Sequence, residues 1–123
     1  MKVLVCGSRD WTDRDAIAEA LRRLPAGAET QLLHGAAKGA DRIVAQLSHL
    51  YGFDVQAFPA DWAQHGKRAG ILRNLQMLDT RPDLVIAFQR NASRGTQHTI
   101  NEARRRGIPV EVHTAETQLE LAV

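Results

Sequence analysis

Cysteine occurs once, at Cys6, which excludes an intramolecular disulfide framework and suits a reducing compartment. The five histidines are scattered, with no His-x-x-His or Cys/His spacing, so a structural zinc site is not expected; neither a metal nor a cofactor is. No apolar run approaches the roughly 20 residues that span a bilayer. Arg9 and Asp10 cut short the apolar start at Val3-Leu4-Val5, too early for a signal peptide. The expectation is therefore a cytoplasmic protein without a membrane partner. Charge of one sign is also scarce: 16 Lys and Arg against 14 Asp and Glu leave a formal net charge of +2, too little by itself to argue for nucleic acid. Two catalytic signatures are missing, the Gly-x-Ser-x-Gly nucleophile elbow and the Gly-Lys-Ser/Thr ending of a P-loop.

What is present describes one ordinary domain of 123 residues, 44% hydrophobic and 24% charged. A chain of this size buries a sheet-and-helix core without metals or disulfides. Residues 2–6 (KVLVC) form a short aliphatic run ending at Gly7, the mark of a buried strand. Residues 13–24 carry Ile17, Ala18, Leu21 and Leu24 at helical spacing, with Thr12 as N-cap and Pro25 and Gly27 as the stop. Residues 31–34 (QLLH) are a second strand. Residues 40–51 are a helix with Ile43, Val44, Leu47 and Leu50 inward, and residues 53–58 a third strand closed by Pro59. Residues 60–67 have no clean period and are read as a loop. A helix over 68–78 turns Ile71, Leu72, Leu75 and Leu78 inward, and residues 84–88 (LVIAF) form the most hydrophobic strand, expected at the centre. A loop to Arg94 leads into a helix from Gly95 or Thr96 to Arg106, then a fifth strand over 109–113; the last ten residues receive no assignment. Regular alternation of strand and helix predicts a single α/β, Rossmann-like domain: a parallel five-stranded sheet flanked by helices.

Ligands of such sheets bind at the carboxyl ends of the strands, where strand order switches. The loops at that edge hold the candidate residues. Gly7, Ser8 and Arg9 form a tight turn in which backbone N–H groups can approach an anion and a guanidinium can grip it. Gly35, Lys38 and Gly39 precede a helix whose start carries partial positive charge; Asp41 either belongs to that site or caps the helix. Ser93, Arg94, Gly95 and Thr96 make a second cradle of this kind, and Arg73 and Asn74 can reach the same crevice. The first and fourth strands must then be neighbours, with Gly7 and Ser93 flanking one cleft. Trp62 either stacks on a base or covers the core, while Trp11 is read as a core cover. Cys6 is read as buried packing.

Taken together, Gly7-Ser8-Arg9, His34-Gly35-Ala36-Ala37-Lys38-Gly39-Ala40-Asp41, Gly70-Ile71-Leu72-Arg73-Asn74 and Ser93-Arg94-Gly95-Thr96 resemble the small SLOG-superfamily proteins related to YspA and YpsA. The resemblance runs from Met1 to about Val112 and implies a Rossmannoid sheet with a pocket for a nucleotide or nucleotide-derived ligand. The related lonely-guy enzymes release a base from a nucleoside monophosphate and carry Pro-Gly-Gly-x-Gly-Thr followed by a catalytic glutamate. Here Gly95 and Thr96 match the end of that motif, but Asn91, Ala92 and Ser93 replace its start, and His98 and Thr99 stand where glutamates would be. The DNA-processing protein A branch shares a pair like Arg73-Asn74 and binds single-stranded DNA with a larger protein and a basic surface.

The expected function is thus binding or sensing of a phosphorylated, nucleotide-like small molecule. The alternative is nucleotide N-glycoside hydrolysis through a non-standard carboxylate such as Asp10, Asp61 or Glu102. A third reading, single-stranded nucleic-acid binding, is not favoured. A homodimer pairing through helices is expected from the fold class.

Overall fold

A computed structural model describes residues 1–115. Its strands are β1 (Lys2–Gly7), β2 (Gln31–His34), β3 (Asp54–Ala57), β4 (Leu84–Arg90) and β5 (Val110–Ala115). They form one parallel sheet in the order β3-β2-β1-β4-β5. The helices are α1 (Arg14–Arg22), α2 (Ala40–Leu50), α3 (Trp62–His65), α4 (Ala69–Asp79) and α5 (Arg94–Arg105). The chain thus has the predicted Rossmann-like α/β architecture, and among the described residues no helix is long and apolar enough to cross a membrane.

The two-residue period of β1 divides the core. Val3 and Val5 join Ile17, Leu21, Val44 and Phe88 beneath α1 and α2. Leu4 and Cys6 join Leu33, Met77, Val85 and Ile100 beneath α4 and α5. Strands so buried on both faces read as unbroken aliphatic runs, which is why β1 and β4 are legible in the sequence. Each fully buried Leu, Ile, Val or Phe contributes about 1.5–3 kcal/mol. β1, not the more hydrophobic β4, is the middle strand; β4 lies beside it and is equally enclosed. Trp11 is 3% exposed and packs against Phe88, a core cover as expected.

Several local expectations are corrected. The N-cap of α1 is Asp13 rather than Thr12: its carboxylate accepts from the Ala16 N–H at 3.1 Å, a charge-assisted cap that also suits the helix dipole. Leu50 is 73% exposed. The packing stripe of α2 runs through Ala40, Val44, Leu47 and Ser48, because small residues at 40 and 48 let the helix sit close to the sheet and turn Leu50 outward. In α4 the inward face includes Ala69, Asn74, Met77 and Leu78, while Ile71 is 42% exposed. Residues 60–67 are not a plain loop. Asp61 accepts from the Gln64 N–H at 3.1 Å and starts the single turn α3, which a 3₁₀ turn joins to α4. The last strands run past their apolar stretches, since Gln89 and Arg90 still pair with Thr114 and Ala115.

Candidate functional site

β1 and β4 are neighbours, with Val3–Gly7 in register with Leu84–Phe88. From their adjacent ends the chain leaves towards opposite faces, to α1 and to α5, and the gap between the departing segments is the switch-point crevice of an open α/β sheet. A cavity of about 560 Å³ lies there. Gly7, Ser8 and Arg9 line one side, and Ser93, Arg94, Gly95 and Thr96 the other. Asp41, Arg73 and Asn74 also line it. A smaller depression of about 310 Å³ holds Gly35, Lys38 and Trp62 and shares Arg9 and Arg73 with the first. Gly39 lines neither.

Gly39 instead brings the first two loops together. Its φ is +70°, and a Cβ there would fall on the Arg9 carbonyl and 2.6 Å from the Ser8 oxygen. Glycine is the residue that accepts both the left-handed φ and the close approach. One consequence overturns part of the expected α2 cradle. The Ala40 N–H donates to the Ser8 carbonyl at 3.2 Å, so one helix-start donor is already used. Asp41 does not occupy the cap position, which is Gly39; its Oδ2 accepts from the Ala37 N–H at 3.2 Å and folds the glycine loop back on the helix.

Ser8 is likewise turned inward. It is 1% exposed, and its hydroxyl accepts from the Arg90 N–H at 2.8 Å, stitching the end of β1 to the end of β4. Arg73 is part clamp. Its Nη1 donates to the carbonyls of Gly35 and Phe58, and its Nε to Asn74 Oδ1 at 2.7 Å. This joins α4 to the ends of β2 and β3. A Cβ on Gly35 would lie 2.9 Å from Arg73 Nε and closer still to its Nη1 and Cζ, so that glycine leaves room for the clamp. Nη2 has no partner among the described residues and can still turn to a ligand.

The start of α5 is built differently. Asn91 and Ala92 both have positive φ, 52° and 54°, a conformation that non-glycine residues adopt at a cost and that clusters at functional sites. Ser93 occupies the cap position, but its side chain accepts from no helix-start N–H; its hydroxyl instead accepts from Thr96 Oγ1 at 3.3 Å. First-turn N–H groups have no partner within their own helix, and here they border the cavity beside Gly95, whose Cβ position is open space.

Sequence reasoning passes over Arg90 because the apolar run of β4 stops at Phe88. Arg90 lines the cavity 3.8 Å from Asp10 Oδ2, and a strand-end cation beside the switch point is the signal that could have found it. Lys67 lines the cavity as well, so Arg9, Lys67, Arg90 and Arg94 face it together, against Asp10 and Asp41. Trp62 is 49% exposed, with the Arg9 guanidinium 5.4 Å above its ring.

Burial dominates the floor. It pushes the Cys6 thiol up to about 12, so Cys6 is inert packing, as expected. Burial also raises the Asp41 carboxyl and lowers the His34 imidazole from their ordinary values. His34 Nδ1 accepts from the Ala36 N–H at 3.0 Å, as a neutral ring does. Of the carboxylates considered for hydrolysis, Glu102 lies outside the cavity. Hydrogen bonds from Arg105 and Arg106 hold it down at about 2. Asp61 caps α3, and Asp10 alone of the three lines the cavity. Among the described residues no group of three or more His, Cys, Asp or Glu could hold a metal ion.

The Gene 61 protein of Mycobacterium phage D29 is 42% identical over 118 residues, covering 89% of this chain and 93% of its own. No solved structure matches. The model of the YspA, cpYpsA-related SLOG family matches residues 1–65, which hold the first two loops of the cleft, and the chain belongs to that family.

Proposed function

We propose that the chain binds a nucleotide or nucleotide-derived phosphorylated ligand in the cleft between the β1 and β4 loops. The observation that carries this reading is the start of α5. It lacks a side-chain cap, is open at Gly95, and shares one cavity with Arg9, Lys67, Arg90 and Arg94. Backbone donors at a helix start together with convergent cations suit a phosphate. The volume of about 560 Å³ falls in the range of small-molecule sites. Trp62 offers a flat face in the adjoining depression, suited to a base.

Calorimetric titration with a panel of nucleoside 5′-monophosphates and the matching nucleosides tests the reading. At least one monophosphate is expected to bind about tenfold or more tighter than its nucleoside, since a hydrogen bond to a charged group is worth about 1.5–3 kcal/mol. Equal affinities would sink it. The hydrolase alternative now rests on Asp10, which lines the cavity. Release of free base that disappears in Asp10→Asn would favour it, and intact recovery of the nucleotide favours binding alone.

A further inference from the structure

At the floor of the same cleft the first turn of α2 carries a carboxylate that is only half satisfied. Asp41 is 5% exposed. Its Oδ2 accepts from Ala37, while Oδ1 is buried with no hydrogen-bond partner. A buried carboxylate oxygen without a donor is unfavourable, and Asp41 lines the cavity, so its carboxylate is the acceptor that the cleft floor offers to a donor on a ligand.

Its neighbours restrict what the group is. Beside the carboxylate a phosphate is disfavoured, even with Arg73 near enough to offset part of that charge, and the α5 N–H groups together with Arg94 are the better place for it. Asn74, 8% exposed and also lining the cavity, accepts from Arg73 through Oδ1, which leaves its amide N–H groups as donors. An acceptor and a donor on one floor suit a neutral group that both donates and accepts, as sugar hydroxyls do.

We infer that Asp41, with Asn74 beside it, takes the sugar hydroxyls of the ligand, so that the cleft selects a ribosyl over a deoxygenated sugar and points its phosphate at α5. This rests on the function proposed above and adds the sugar and its orientation. The test compares a nucleoside 5′-monophosphate with its 2′,3′-dideoxy analogue, by calorimetry, on the wild-type protein and on Asp41→Asn. The wild type is expected to prefer the ribo form by about tenfold or more, in line with loss of a hydrogen bond to a charged group. Asp41→Asn keeps an acceptor for Ala37 and is expected to bring the ratio close to one. A wild-type ratio near one overturns the inference and needs no variant. A preference that survives Asp41→Asn overturns it as well. If no monophosphate binds at all, the proposed function fails and takes this inference with it; binding without hydroxyl preference removes this inference alone.

Discussion

Gly95 and Gly39 are both glycines at a helix start, and they do opposite work. A side chain at 39 would strike the backbone of the first loop, whereas a side chain at 95 meets no atom within 4 Å. The fold therefore needs Gly39, while Gly95 keeps the cavity open. Gly95→Val is expected to leave the urea midpoint nearly unchanged, within about 0.5 kcal/mol on helix propensity. It should weaken a nucleoside monophosphate at least about tenfold by covering the helix-start donors. Calorimetry and a denaturation curve on the same sample check both halves. Sequence alone does not separate the two glycines, because the difference lies in what each Cβ would meet across the chain. Ser8 shows the same limit: its place in the cleft loop is legible, but not that Arg90 occupies its hydroxyl.

At the level of elements, aliphatic runs and helical spacing locate the strands and the long helices of the described residues. The errors fall where packing departs from hydrophobicity. α2 presents Ala40 and Ser48 to the core and turns Leu50 away, and β4 continues through the polar Gln89 and Arg90 because β5 still offers it partners. The Arg73-Asn74 pair is visible as a site motif, yet its clamp on two distant carbonyls is not, since Gly35 and Phe58 meet Arg73 only in the folded sheet. Arg73→Ala is thus expected to do two things. It leaves those carbonyls short of a donor, which lowers stability by about 1–3 kcal/mol, seen as a lower urea midpoint at unchanged slope. It also weakens a ligand in the cleft by removing the Nη2 donor, which lines the cavity with no partner of its own among the described residues. Weaker binding with no change in the midpoint would mean that the clamp contributes nothing to the fold.

Across the whole molecule, the cleft is a joint product of two halves. β1 to β3 with α1 and α2 supply Arg9 and Asp41, while α4, β4 and α5 supply Arg73, Arg90 and Gly95. Neither half covers its own sheet. In a fragment of residues 1–65 the α1 and α2 side would lack Ile86 and Phe88, and Leu4, Cys6 and Leu33 would lie bare where Met77, Leu78 and Ile100 pack in the complete domain. Such a fragment is expected to show no cooperative thermal transition by circular dichroism; a sharp melt would mean that the first three strands are a stable unit by themselves.

The middle position of β1 also sets an order of events during synthesis. The strand made first is completed late, because Val3 to Gly7 find their β4 partners only at Leu84 to Phe88. Until that length of chain has left the ribosome, one edge of an aliphatic strand has no native neighbour, and contacts so distant in sequence form slowly. The waiting edge of Val3-Leu4-Val5 is where a nascent chain is most open to pairing with the wrong strand.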